Sequence, residues 1–144
     1  MLKLPPSFID LVNQILPSQM AMDLLDSIQD TPKSSIRLNT QKEITALSFK
    51  ENTLGPTIAH CSNGYLLNDR PLFTADPAFH AGAYYVQEAS SMFLEQALQQ
   101  CVPLSTPICA LDVCAAPGGK TTLTAAQLHP DSLLLANEVV PQRA

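Results

Sequence analysis

The sequence predicts an α/β protein: a small α/β module over residues 1–80, then, over residues 81–144, the opening strand–helix–strand unit of a parallel sheet. Three observations carry this. Helix-period and strand-period apolar patterns alternate through the first eighty residues. The apolar run ICALDV at 108–113 leads through Pro117-Gly118-Gly119 into a helical pattern and then a second apolar run, SLLLANE at 132–138. Apolar residues make up 46% of the 144, which supplies a core and argues against an intrinsically disordered chain.

Element by element, Ser7 reads as a helix start, and Phe8, Leu11, Val12 and Ile15 form one apolar stripe. Pro17-Ser18 breaks the stripe. Met20, Leu24, Leu25 and Ile28 resume it as a second amphipathic helix, which Asp30-Thr31-Pro32 ends. SIRLN at 35–39 alternates as a strand does. A short helix is predicted over 45–51, and strands flank the Ser62-Asn63-Gly64 turn within 57–67. A helix over 88–100 has Ala89, Met92, Phe93 and Ala97 along one face, and a proline-bounded link at 102–107 follows it. Run 108–113 reads as a parallel strand buried on both faces. The next helix extends to about Leu128, where His129-Pro130-Asp131 stops it before the second strand. The crossover of this βαβ unit is expected to be right-handed. Two parallel strands do not complete a doubly wound sheet, so the folding unit is expected to continue past residue 144.

Composition removes several classes of function. No apolar run approaches the roughly 18–20 residues a membrane helix needs, and the N-terminus lacks the pattern of a secretory signal. Cytoplasm is the expected compartment. Cys61, Cys101, Cys109 and Cys114 form no CxxC pair and no zinc-type spacing, so reduced thiols and no metal are expected. His60, His80 and His129 stand beside no matching acid or nucleophile and read as ordinary surface or packing residues. A net charge of −5 argues against this segment as the main grip on a polyanion.

The turn at 114–120 carries the chemistry. Gly118 and Gly119 permit backbone torsions closed to other residues and let a ligand approach the main chain. The helix that follows aims N–H groups and the positive end of its dipole at the same space. Ala115 and Ala116 keep the walls low. Glu138 ends the next strand nineteen residues after Gly119, the spacing at which an acid in dinucleotide-type folds accepts hydrogen bonds from ribose hydroxyls. Asp112 either orients the turn or holds a ligand's ammonium group. Together these features predict a nucleoside-containing cofactor. The rival is a phosphate-wrapping P-loop, because Gly119-Lys120-Thr121 matches its ending. That motif also requires glycine five residues before Gly119, where this chain has Cys114. Cys114 could act as a nucleophile at a helix N-terminus, but with no histidine near it in sequence it reads better as a small wall of the pocket.

LDVCAAPGGKTT at 111–122 resembles motif I of the Nop/Sun-type RNA cytosine-5 methyltransferases, in the branch that includes the bacterial ribosomal-RNA enzymes. Three further stretches match in order. SIRLNTQK at 35–42 resembles the family's Arg-x-Asn-Thr-x-Lys segment through Arg37, Asn39, Thr40 and Lys42. GAYYVQEASSM at 82–92 resembles its segment of glycine, tyrosine, Gln-Glu and Ser-Ser-Met. NEVVPQR at 137–143 resembles the strand-end acid followed by an arginine, here Arg143.

The resemblance implies a small N-terminal α/β domain followed by a Rossmann-like, S-adenosylmethionine-dependent methyltransferase domain, truncated here after its first βαβ unit. It places Cys114, Ala115, Ala116, Pro117, Gly118, Gly119 and Lys120 around S-adenosylmethionine, with Glu138 on the adenosyl ribose. Arg37 and Asn39 either face RNA or brace the domain junction, and Gln87 and Glu88 are either helix-start and junction residues or touch the ligand. In the family, a cysteine thiolate adds to cytosine carbon 6 so that carbon 5 can attack the sulfonium methyl, and a second cysteine helps release the product. Those cysteines lie downstream of the adenosyl site. No corresponding Pro-Cys or Thr-Cys motif occurs here, so no catalytic residue is assigned and this chain alone is expected not to methylate RNA. The implied substrate is RNA, with ribosomal RNA expected. A non-catalytic RNA-binding or assembly module, and a methyltransferase of small molecules or proteins, are the alternatives.

Overall fold

The computed structural model describes residues 2–42 and 53–143; the helix predicted over 45–51 lies outside them. The chain divides into two compact units, Met1–Pro32 and Lys33–Ala144.

The first unit is a helical pair, α1 (Pro6–Ile15) and α2 (Ser18–Ser27). The start of α1 differs from expectation. The cap is Pro5 and the helix begins at Pro6, one residue before Ser7, with no side-chain cap bond. Proline's fixed φ suits the first helical position, where an N–H would have no partner. Pro17 likewise precedes α2. Val12 and Ala21 are the buried residues of the pair. The Gln29 amide ties the end of α2 to the start of the chain, accepting from Leu2 N at 2.8 Å and donating to Leu2 O at 3.1 Å.

The second unit contains two sheets. The first is antiparallel and four-stranded, built from β1 (Ser35–Leu38), β2 (Leu54–Thr57), β3 (Gly64–Leu67) and β4 (Tyr84–Val86) in the order β2-β3-β1-β4. In β1, strand alternation sends Ile36 into a core with Leu67, Ala83 and Tyr84, while Arg37 takes the other face, paired across the ladder with Gly64 and Tyr85. Gly64 is required by close approach. A Cβ there would lie 2.8 Å from Met92 Sδ and 3.1 Å from Ile58 Cδ1. A second core forms on that side from Ile58, Cys61, Met92 and Leu123.

β4 was not legible in the sequence, since three residues are too few to show alternation. It lies past residue 80 and pairs with β1 through Ile36 and Val86. Between β3 and β4 stands α3 (Pro77–His80), capped by Asp76, whose carboxylate accepts from Ala78 N at 2.9 Å and from Tyr84 Oη at 2.7 Å.

The helix predicted over 88–100 is in two parts. Ala89–Phe93 is a 3-10 helix, and α4 (Leu94–Cys101) continues it. Three residues per turn rotate Phe93 off the expected inner face, and it is exposed, as is Ala97. Glu95 is buried instead. Its carboxylate accepts from Cys61 Sγ at 3.1 Å, Ser62 N at 3.1 Å and Ser62 Oγ at 2.8 Å. Burial acts to raise the Glu95 pKa, but the hydrogen bonds from Cys61 and Ser62, with the Arg37 charge, outweigh it and hold the carboxyl below its ordinary value.

The second sheet consists of β5 (Cys109–Asp112) and β6 (Leu133–Ala136), parallel, with Asp112 beside Ala136, and α5 (Gly119–Gln127) connects them. The expectation of strands buried on both faces is not met. Ala110, Asp112 and Leu134 are half-buried, but Leu111 is 62% exposed, and Val113, Leu133 and Leu135 are also open. Among the described residues nothing covers that second face, so strand alternation leaves every other apolar side chain in solvent. The α5 helix packs through Leu123 on α4 and the 3-10 helix, which holds the turn before it against the first sheet.

Candidate functional site

The turn between β5 and α5 is organised from beneath by two acids. Asp112 Oδ1 accepts from Cys114 N at 3.1 Å, and its Oδ2 accepts from Thr121 Oγ1 at 2.6 Å. It therefore spans the turn from the strand end to the first turn of α5. Glu138, just past β6, accepts from Ala116 N at 3.1 Å through Oε2 and from Val140 N at 2.9 Å through Oε1. Hydrogen bonds from the Val140 and Ala116 amides hold its carboxyl below the ordinary carboxylate value, with Arg143 adding to the effect. Asn137 stitches the two strand ends, donating from its backbone N to Asp112 O at 2.8 Å and from Nδ2 to Val113 O at 3.1 Å.

The first sheet holds the turn from the other side. Tyr85 Oη donates to Pro117 O at 2.7 Å. Arg37, only 5% exposed, donates from Nε to Gln87 Oε1 at 2.9 Å. Its Nη2 donates to Thr122 Oγ1 at 2.7 Å and to Gly119 O at 3.3 Å. These bonds make Arg37 a brace between the first sheet and α5. Desolvation lowers its pKa from the ordinary value, yet it remains far above neutrality by chemistry. Asn39 is also braced, donating from Nδ2 to Gly82 O at 3.0 Å.

The two glycines differ in role. Gly118 has φ +96°, which favours glycine, and a Cβ there would meet nothing within 4 Å, so the turn is open above it. Gly119 is closed. Its missing Cβ would stand 3.2 Å from the Tyr85 ring and 3.4 Å from the Gln87 amide. The Ala116–Pro117 peptide bond is cis.

A cavity of about 260 Å³ lies between this turn and β4 with the residues that follow it. Cys114, Ala115, Ala116, Pro117, Gly119 and Lys120 line one side, and Tyr85, Gln87, Glu88 and Ser91 line the other. Gly118 and Glu138 do not line it. Cys114 is exposed, and no histidine lines the cavity. Sequence reasoning missed Tyr85, Ser91 and the Arg37–Thr122 link. One signal for the link was available: an arginine between Ile36 and Leu38 in a buried strand needs acceptors across the sheet. No group of His, Cys, Asp and Glu suited to a metal exists among the described residues, and no described helix is long and apolar enough to cross a membrane.

The donor set fits an adenosyl cofactor. Each Glu138 oxygen accepts one amide and keeps a second lone pair for a ribose hydroxyl, the α5 N-terminus supplies positive potential, and small residues form the wall. It is a poorer fit to a triphosphate, since Cys114 stands where the phosphate-binding loop requires its first glycine.

Comparison with known proteins agrees in extent. The family model for the N-terminal domain of 16S rRNA methyltransferase RsmF matches residues 4–89. The ribosomal RNA small subunit methyltransferase F of Shewanella sp. (strain W3-18-1) is 37% identical over 155 aligned positions, covering 99% of this chain and 32% of that protein. Its namesake from Photobacterium profundum is 33% identical, covering 97% of the chain and 31% of that protein. The chain thus spans about a third of the length of these curated relatives. The crystal structure of PH0851 is 27% identical with a TM-score of 0.74, covering 96% of this chain and 31% of that one. The chain belongs to the RsmF family of methyltransferases, within the Nop/Sun group whose ordered segments it carries.

Proposed function

We propose that this chain is the N-terminal part of an S-adenosylmethionine-dependent methyltransferase acting on cytosine carbon 5 in ribosomal RNA, working in the cytoplasm. Residues 1–80 serve as the N-terminal domain and residues 81–144 open the Rossmann-like methyltransferase domain, with β4 joining the two by pairing with β1. The observation that carries the cofactor reading is Glu138, clasped to the Ala116 amide at the end of the second parallel strand. That bond brings a carboxylate with spare lone pairs to the glycine turn, which suits a ribose diol.

When bound, S-adenosylmethionine supplies an electrophilic methyl group on a sulfonium. Glu138, on the Ala116 amide beside the cavity, would bind the ribose, Cys114 to Pro117 would form the wall, and Lys120 would stand at the rim. Gln87 and Glu88 close its opposite side. Proton transfer and nucleophilic addition to cytosine fall to residues outside this segment.

Isothermal titration of the chain with S-adenosylhomocysteine and with ATP tests the cofactor reading. Saturable binding of S-adenosylhomocysteine alone is expected, weakened about tenfold by Glu138→Gln, the size of one charge-assisted hydrogen bond. Binding of ATP in its place overturns it. Transfer of labelled methyl to RNA cytosine by the 144-residue chain alone would overturn the placement of catalysis outside the segment.

A further inference from the structure

A second cavity, of about 300 Å³, lies on the far side of the Arg37 brace between the first sheet and α5. Arg37 and Lys42 line it together with Asn39, and Thr122, Ala125 and Ala126 of α5 form the facing wall; no carboxylate is among its described lining residues. We infer that this cavity is an anion subsite that takes a phosphate group, held by Arg37 and Lys42.

A buried charge is costly unless an opposite charge or several hydrogen bonds compensate it. Arg37 is 95% removed from solvent, yet its three hydrogen bonds all go to neutral acceptors: an amide oxygen, a carbonyl and a hydroxyl. The carboxylate whose charge acts on Arg37 is Glu95, which is committed to Cys61 and Ser62 and makes no ion pair with the guanidinium. Guanidinium has five N–H donors in a planar fork. The bonds from Nε and Nη2 leave both Nη1 donors without a protein acceptor, and no buried side-chain nitrogen or oxygen among the described residues is both sealed from solvent and unpartnered. Nη1 therefore keeps an opening, and this is a cavity Arg37 lines. Lys42 is exposed at its rim and uses one ammonium donor on Ala81 O, which leaves two. Burial lowers the Arg37 pKa, and an anion beside it would offset that cost.

The two Nη1 donors with a long-armed lysine suit a tetrahedral phosphate, free or as a phosphodiester in a polynucleotide. The site is separate from the glycine turn's own cavity, and the inference does not depend on the cofactor reading. Inorganic phosphate titrated into the whole chain, followed by phosphorus NMR, tests it, with a short RNA oligonucleotide as competitor. S-adenosylhomocysteine binding is measured in parallel. Two variants at exposed positions spare the Arg37 brace: Lys42→Gln removes the rim charge, and Ala125→Glu places a carboxylate on the facing wall. Saturable phosphate binding is expected, about tenfold weaker in Lys42→Gln and lost in Ala125→Glu, with S-adenosylhomocysteine binding the same in all three proteins. Displacement of phosphate by the oligonucleotide assigns the polymer backbone, and phosphate binding without displacement assigns the free anion. No binding of either probe, or equal binding in both variants, overturns the subsite. Loss of S-adenosylhomocysteine binding in the unmodified chain would instead overturn the cofactor reading alone.

Discussion

Replacing Arg37 by methionine removes three hydrogen bonds at once: to Gln87 Oε1 (2.9 Å), Thr122 Oγ1 (2.7 Å) and Gly119 O (3.3 Å). A hydrogen bond to a charged group contributes about 1.5–3 kcal/mol net, so the three together set an upper bound of roughly 5–9 kcal/mol. The 3.3 Å bond is long, and removing the guanidinium also removes its desolvation cost, so the net loss is closer to about 3–4 kcal/mol, in the range for breaking a buried polar network. Lysine keeps the charge but not the fork and should lose about 2 kcal/mol. The chain has no tryptophan, and its three tyrosines, Tyr65, Tyr84 and Tyr85, all lie in the second unit. Tyrosine emission during urea unfolding therefore reports that unit without interference from α1 and α2. With a urea dependence of about 1–3 kcal/mol per molar, the methionine variant's midpoint should fall by roughly 1–4 M. A loss under about 1 kcal/mol would show that the brace is not what holds the turn to the sheet.

Gly64→Ala should cost about 1–3 kcal/mol, because its Cβ would press on Met92 Sδ and Ile58 Cδ1, and Met92→Ala should recover part of that in a double-mutant cycle read by the same unfolding. Leu123→Ala, at a position 1% exposed in the core beneath α5, should lose about 2–5 kcal/mol by thermal or urea melt. Gly118→Ala meets open space but must hold φ +96°, so a penalty of about 1–2 kcal/mol without any clash is expected in the same melt. Glu95 and Glu138 have carboxyls held below their ordinary values, so the folded state binds fewer protons than the unfolded one. Their stabilisation is present above the ordinary value of 4.5 and is lost as pH falls from there through the folded pKa; Glu95→Gln should flatten that acid limb. The Cys61 thiol is pushed up to about 11 by burial and by the Glu95 hydrogen bond. Its contribution is complete below 9.0 and is lost as pH rises toward 11, a limb that Cys61→Ala should reduce.

Long patterns were legible in the sequence and short ones were not. The α1 and α2 stripes and the β1 alternation show a period, while β5 and β6 were marked as strands by continuous apolar runs between turns. The three-residue β4 is fixed by its neighbour β1 rather than by its own composition. Phe93 leaves its expected face and Glu95 is buried because the 3-10 segment changes the period from 3.6 to 3 just where the apolar positions would set it. At the site, the Cys114–Lys120 turn was legible because glycine, proline and a helix start leave local marks. The carboxylate of Glu138 also holds the Ala116 amide, a backbone partner that the spacing argument did not foresee. Tyr85 on Pro117 and Arg37 on Thr122 were hidden because each joins residues distant in sequence, and only the strand register brings them together.

The Arg37 bonds to Gly119 and Thr122 join positions 82 and 85 residues apart, and this bears on the order in which the molecule assembles. Local hairpin pairing of β2 with β3 needs no such reach, and loop closure over eighty residues is entropically slower to complete. During synthesis β1 leaves the ribosome long before α5 exists, so its guanidinium stays hydrated until Thr122 arrives to accept it. Docking of α5 is thus the event that dries the arginine. A register slip in β1 would present Ile36 or Leu38 to α5 instead, with no donor for Gly119 or Thr122. The late-arriving helix therefore checks the strand laid down before it and closes only on a sheet paired in the correct register.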